Sequence, residues 1–465
     1  MDVAAKPNIL FVYADQHRYD CTGVNGHPLV QTPAMDGLAR EGANFSHAFT
    51  PIPICVPARC SLLSGRWPTE HGTIFNYDGE TFKPFSPEQP TCARAVRDAG
   101  YHAIHIGRWH VDPKLTPVDY GFHDYVPEWR YGQWRKARGL KPAPRSGFAG
   151  AADTHISAAE SRPVWSANQV IRFLEYTREY PDPVFIHWHL TEPHLPCDPP
   201  EPFASMYDPK SITPWPGFND SFEGKPLIQR QMLRTWNVEN MTWDDWAPIV
   251  ARYLGVVSLV DHALGLVLDT LDRLGMRENT LVIYTSDHGD MCGSHRMVDK
   301  HYVMYDDVVR VPMMMRWPGV VPAGATCGDF VSNAVDLATT FCHVAGAAIP
   351  ASFSGTVLFP FADKPAKGKR GDIFASYHGN QFGSFSQRMV RDRRWKYVWN
   401  ATCEDELYDL DADPGELKNR VADQACAPEL SRLRLRMLDW MGSTHDTLNN
   451  GMIRRQLCEG RKLTA

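Results

Sequence analysis

Two periodicities take turns along this chain, and that alternation limits its fold more than any other feature. Short apolar runs rich in β-branched and aromatic residues, at 8–14, 44–49, 101–106, 183–189 and 280–285, alternate with stretches of helical spacing, among them 91–99, 165–179 and 249–274. Parallel strands need a connection long enough to hold a helix, so this order predicts a large, mostly parallel sheet with helices on both faces. Local punctuation agrees: Thr32-Pro33 reads as a helix N-cap and first-turn proline, and Gly42, Gly100 and Gly275 read as helix stops. Ligands of such sheets collect beyond the carboxyl ends of the strands. Asp15, His110, His194 and Asp287 each follow a predicted strand within a few residues.

A chain of 465 residues suits a large α/β domain joined to a smaller one. Lys364, Lys367, Lys369 and Arg370 form a basic linker, which divides the chain into 1–367 and 368–465. Beyond the linker, strand-like runs at 372–377, 387–391 and 395–400, a turn-rich segment at 406–419 and a helix at 428–441 predict a small α+β unit with an antiparallel sheet. The net charge of -6 gives no reason to expect a nucleic-acid or membrane partner. Eleven cysteines without a CxxC pair argue for reduced, buried thiols. The apolar run at 9–14 is too short for a leader and stops at Asp15; Asp261, His262 and Asp269 interrupt 253–271 as a bilayer span. A cytoplasmic protein is the expectation.

The most informative stretch is Cys55-Val56-Pro57-Ala58-Arg59, followed by an apolar turn and Gly65-Arg66. Pro57 suits the first turn of a helix, so Cys55 is expected at a helix N-terminus, where free N–H groups favour an anion. Cys60 reads as core. The stretch resembles the signature of the type I sulfatases, members of the alkaline phosphatase superfamily. In that family the cysteine is oxidised to formylglycine by a maturation enzyme. The hydrated aldehyde has two hydroxyls: one attacks sulfur, and the other loses its proton so that sulfate can leave.

The resemblance extends to the other strand ends. Asp15-Gln16 and Asp287-His288 correspond to the family's metal pairs, so that Asp15, Gln16, Asp287 and His288, with Cys55, are expected to bind one divalent ion. A mostly oxygen set favours Ca²⁺, with Mg²⁺ or Mn²⁺ as alternatives. Asp20 and Asp290 read as supporting residues. Gly107-Arg108-Trp109-His110 stands where the family usually has Gly-Lys-Trp-His; Arg108 keeps the charge but cannot give up a proton. Thr191-Glu192-Pro193-His194 and Asp299-Lys300-His301 resemble two further family loops.

The roles implied are Cys55 as nucleophile, Arg59, Arg108 and Lys300 as oxyanion clamps, His110 as base, His194 as acid and His301 as a substrate contact. His187 and His189 alternate on one strand face and read as core or backing residues; His295 is a weaker candidate for substrate contact. The segments 129–152 and 196–245 are expected to frame the pocket, with Trp129, Trp134, Trp215, Trp236, Trp243 and Trp246 available to stack on a sugar. The reading is a sulfuric ester hydrolase acting on an organic, carbohydrate-type sulfate. Two rivals stand beside it: phosphodiester or phosphonate monoester hydrolysis on the same site, and a non-catalytic binder of sulfated glycans.

Overall fold

The computed structural model describes residues 6–77, 83–144, 146–359, 370–379, 384–460 and 462. In chain order its strands are β1 (Asn8–Asp15), β2 (Ala43–Phe45), β3 (Ala48–Phe49), β4 (His102–Gly107), β5 (Asp124–Pro127), β6 (Val184–Pro193), β7 (Thr280–Ser286), β8 (Met313–Arg316), β9 (Ala325–Cys327), β10 (Val331–Ser332), β11 (Ile373–Gly379), β12 (Phe385–Arg391), β13 (Trp395–Asn400) and β14 (Glu406–Asp409). The large sheet has the order β5-β4-β6-β1-β7-β8-β2-β9 and is parallel except at β8. Its four central strands β4, β6, β1 and β7 are neighbours, so their carboxyl ends form one continuous ledge.

Side-chain alternation along β1 divides the core in two. Ile9, Phe11 and Tyr13 pack with Val56, Leu62 and Leu63 of the helix Cys55–Ser64 and with Phe341 of the helix Val335–Val344. Leu10, Val12 and Ala14 face the other way, onto Val260, Leu264 and Val267 of the helix Trp243–Arg273 and Val170 of the helix Arg162–Thr177. Both faces are covered, which is why the strands read as continuous apolar runs. The helix Trp243–Arg273 is in fact long and apolar enough to cross a bilayer, contrary to the sequence expectation. However, 78% of its most apolar window is buried inside the protein, because it packs with the helices Pro33–Glu41 and Arg162–Thr177 over one face of the sheet.

Several boundaries differ from expectation. The run at 44–49 is two strands in two sheets: β2 pairs with β8 and β9, and β3 pairs with β10. The helix expected from 249 begins at Trp243, where Thr242 and Asp245 form a capping box, and the one expected from 165 begins at Arg162. The turn-rich segment at 406–419 contributes β14, the edge of the antiparallel sheet β11-β12-β13-β14. This sheet shares a core with the site-bearing loops. Tyr377, Met389 and Tyr397 pack in one cluster with Ile54, Tyr302 and Met304, and Ser376 N donates to Pro51 O at 2.9 Å. The boundary near 368 lies outside the described residues.

Thr32 does not cap the helix Pro33–Glu41. Its hydroxyl is taken by Asp36 and by Gly23 N, and the cap comes from Asp261, which accepts from Ala34 N at 3.1 Å and Met35 N at 2.8 Å. Burial raises the Asp261 carboxyl from 3.8 to about 7. The folded state therefore holds an extra proton between those values. Stability is fully present below the lower value and is lost as pH rises through the upper one. Asp261→Asn should flatten this slope, which approaches roughly 1.4 kcal/mol for each step of one in pH across that interval, although it weakens the contact to Ala34. Unfolding midpoints of both proteins between pH 5 and 8 check this; parallel profiles would refute it.

Candidate active site

All ten residues of the helix Cys55–Ser64 are buried, and it ends at Gly65 in the left-handed region with φ 60°. A side chain there would meet Phe353 at 2.4 Å, so glycine is required on two grounds. At the other end the anion cradle expected from a helix N-terminus is mostly consumed: Val56 N donates to Asn76 Oδ1 at 3.0 Å, and Pro57 has no N–H. Asn76 carried no signal in the sequence. Charge at Cys55 is thus handled by side chains. Its Sγ stands where an oxygen carried on the same β carbon would lie, 3.2 Å from His288 Nε2 and 3.7 Å from Asp15 Oδ1.

The two strand-end aspartates divide their oxygens between two tasks. Oδ2 of Asp15 and Oδ2 of Asp287 both accept from Arg59 Nη2, at 2.9 and 3.0 Å. The Oδ1 atoms turn the other way. Asp287 Oδ1 is oriented by Gln16 N and His288 N, and lies 3.6 Å from His288 Nε2; Asp15 Oδ1 lies 3.8 Å from that nitrogen. His288 Nδ1 donates to Gly289 O at 2.9 Å, which leaves Nε2 unprotonated, with its lone pair facing Cys55 Sγ. One ligand atom each from Asp15, Cys55, Asp287 and His288 lies within 4.8 Å of the others. Two carboxylate oxygens and an imidazole lone pair converging in a buried space fit a divalent cation. The Gln16 amide is set differently: Nε2 donates to Asp290 Oδ2 at 2.7 Å and Oε1 accepts from Lys300 at 2.8 Å.

Arg59 stands behind the carboxylates. Besides bridging them it donates from Nη1 to Arg108 O at 3.2 Å and to His189 Nδ1 at 3.0 Å. An arginine only donates, so His189 carries its hydrogen on Nε2 and passes it to His187 Nδ1 at 3.2 Å. His189 therefore supports the site directly, a role its position on a buried strand face only hinted at. Arg108 reaches Asp15 Oδ2 from Nε at 3.3 Å. Burial alone would raise the Asp15 carboxyl, but the surrounding cations, Arg108 foremost, hold it well below the usual range. Burial, and then Asp15, push the Cys55 thiol up to about 12, so the unmodified sulfur is a poor nucleophile.

Lys300 and His194 meet across the cavity. Lys300 Nζ donates to His194 Nε2 at 2.9 Å and pairs with Asp299 at 3.2 Å. His194 Nδ1 donates to Leu195 O at 2.6 Å, so both ring nitrogens are committed in the neutral form. Burial and Lys300 lower it to about 3. The proton expected on His194 thus resides on Lys300. His110, with φ 48°, accepts from Arg108 Nη2 at Nδ1 (3.2 Å) and is likewise held neutral by burial and Arg108. Gln16 (φ 71°), Asp299 (67°) and His301 (113°) share this left-handed backbone, which costs a non-glycine residue about 1 kcal/mol or more. His301 is held by Asp299 Oδ2 at 3.1 Å and Tyr377 OH at 3.4 Å. His295 is buried against Asp220 at 2.6 Å.

A cleft of about 930 Å³ opens from Arg108 and His194 and is walled by Trp129, Lys136, Arg162, Glu192 and Pro199. Parts of both expected segments frame it, but of the six tryptophans only Trp129 lines it, 59% exposed. Trp215 and Trp246 are core instead, and Trp134, Trp236 and Trp243 lie off the cleft.

The family profile described as "Sulfatase" matches residues 7–347, and that of "N-sulphoglucosamine sulphohydrolase, C-terminal" matches residues 293–441. An arylsulfatase of Clostridium perfringens is 28% identical, covering 92% of this chain and 93% of its own. An N-acetylglucosamine-6-O-sulfatase of Bacteroides thetaiotaomicron is 25% identical, covering 89% and 82%. Among solved structures, the phosphonate monoester hydrolase of Agrobacterium radiobacter superposes with a TM-score of 0.79 at 27% identity, covering 94% of this chain and 95% of that one.

Proposed function

The chain belongs to the sulfatase family, and from that premise we propose that it removes sulfate from a carbohydrate sulfate ester, with Cys55 matured to formylglycine beside one divalent cation. The observation that carries this reading is the convergence of Cys55, Asp15, Asp287 and His288 in one buried cluster at the strand ends, ringed by Arg59, Arg108 and Lys300. Asp15, Asp287 and His288 would hold the ion, with Gln16 completing the set if its amide leaves Lys300. Ca²⁺ suits the oxygens, with Mg²⁺ as an alternative, and the imidazole shifts the balance toward Mn²⁺.

When present, the hydrated formylglycine supplies two hydroxyls, and the cation polarises the oxygens around them. The chain's own groups do the rest. Arg108 and Lys300 neutralise charge developing on the sulfate oxygens, the kind of fixed electrostatics that commonly dominates catalysis. Lys300, protonated, donates toward His194, and this pair carries the proton for the leaving oxygen. His110, neutral, takes up a proton once Arg108 releases its Nδ1. The eleven free thiols support a cytoplasmic setting.

A second reading, phosphonate monoester or phosphodiester hydrolysis, is favoured by the likeness to the Agrobacterium radiobacter enzyme, since both oxyanions ask for the same clamps. Coexpression with a formylglycine-generating enzyme, followed by mass spectrometry of the peptide bearing position 55, should find the aldehyde. Side-by-side turnover of aryl sulfate, sulfated sugar, phosphodiester and phosphonate ester should favour the sulfate esters. A preference for phosphonate would install the second reading. Absence of both aldehyde and turnover would leave a binder of sulfated glycans.

A further inference from the structure

The cleft beyond Arg108 holds cations that the chemistry above leaves unused. Arg162 lines it with its side chain 36% exposed, and its Nε donates to Glu192 Oε1 at 2.7 Å. That bond fixes one edge of the guanidinium, while the terminal amino groups make no hydrogen bond among the described residues. Lys136 lines the same cleft, is exposed, and has no ion-pair partner among them. Of the acids lining the cleft, Asp153 is paired with Arg135 at 2.7 Å, Glu128 accepts from the Thr191 hydroxyl and Asp198 from Ser146 and Ala151 N, while Glu192 is the partner of Arg162 and holds its Nε edge only. Between Glu128 and Asp153 the sequence has no acidic residue. Helical spacing turns Arg130 and Arg138 off the Lys136 face, so they add to the local positive field rather than to contacts.

We propose that the cleft contains a second anion subsite, formed by Arg162 and Lys136 beside Trp129, which takes a carboxylate or a further sulfate on the saccharide that bears the scissile ester. The proposal rests on the sulfatase reading above. A guanidinium held at one edge presents a planar fork that matches a carboxylate or sulfate, and Trp129 offers a flat face to the ring between the two anions. A cleft of about 930 Å³ has room for more than one ring, whereas an aryl sulfate would leave this end empty.

The test uses the matured protein and the variants Lys136→Ala, Arg162→Gln and Arg162→Lys. The probes are 4-nitrophenyl sulfate, a 6-sulfated chondroitin disaccharide, its carboxyl-reduced form, and its disulfated form. The two charge-removing variants should lose about tenfold to a hundredfold in kcat/KM on the charged disaccharides, the scale of one charged hydrogen bond, and keep their activity on 4-nitrophenyl sulfate. Arg162→Lys should retain a good part. Loss of the effect on carboxyl reduction assigns the subsite to a carboxylate; an effect that appears only with the disulfated form assigns it to sulfate. Equal losses on 4-nitrophenyl sulfate, or unchanged kinetics on every disaccharide, would overturn the proposal. Calorimetric binding of the same disaccharides to the Cys55→Ala protein reads the subsite without turnover, so failure of the sulfatase reading is recognised separately.

Discussion

Cys55→Ser should fold normally and lose sustained turnover by on the order of 10⁴-fold or more, the scale seen when an essential nucleophile is removed. Normal folding is expected because position 55 is 1% exposed and a serine hydroxyl is smaller than the thiol it replaces, at a helix start that tolerates it. The loss follows from counting hydroxyls. A serine oxygen among Asp15, Asp287 and His288 can attack sulfur once, but the resulting ester has no second hydroxyl on the same carbon to expel sulfate. The variant should therefore stall after one event and gain the mass of a sulfuryl group. Intact-protein mass spectrometry after substrate exposure, with circular dichroism for the fold, provides the check. Multiple turnover by the variant would remove the need for an aldehyde. The wild-type chain made without its maturation partner should be just as inactive, since a thiol pushed up to about 12 is almost fully protonated at neutral pH.

How far the molecule was legible in advance depended on the range of the interaction concerned. The central strands and their order of appearance came from local periodicity, and the residues just after them form the site because parallel strands deliver their carboxyl ends to one ledge. Signals a few residues long were readable even where they went unused: Thr242 and Asp245 mark the true start of the long helix, despite Pro248. The strand Glu406–Asp409 was hidden by the Asp-, Gly- and Pro-rich turns that follow it. What no local pattern could supply was the partnership of Arg59. Its role is set by carboxylates 44 and 228 positions away and by His189, 130 positions away, which come together only when the sheet is assembled. The tautomer of His194 was equally out of reach, because it is decided by the Leu195 carbonyl and Lys300.

Arg59→Ala should lower stability by about 3–5 kcal/mol in the presence of a chelator, the usual result of stripping one partner from a buried ion pair, and much of that loss should return on adding millimolar Ca²⁺ or Mn²⁺. The guanidinium is 1% exposed and its Nη2 touches Asp15 Oδ2 at 2.9 Å and Asp287 Oδ2 at 3.0 Å. Without it Asp287 loses its buried ion-pair partner and Asp15 keeps only Arg108 at 3.3 Å, so a cation bound at their Oδ1 atoms would supply much of the missing compensation. Stability gained on binding rises with ion concentration, so the variant's unfolding midpoint should depend on the ion more steeply than the wild type's. Arg59→Lys separates charge from shape: it should recover part of the stability, yet not the activity, because an ammonium cannot bridge both carboxylates and also reach His189 and Arg108 O. Activity in both variants should fall by about 10²–10³-fold. The sequence reading of Arg59 as a clamp on sulfate makes a different forecast, namely weaker binding of inorganic sulfate with little change in stability and none in ion dependence. Denaturant midpoints measured with and without chelator decide between them. An Arg59→Ala protein as stable as wild type in chelator would show that the carboxylates do not need the bridge, and a destabilised one that no divalent ion rescues would place the cation site away from Asp15 and Asp287.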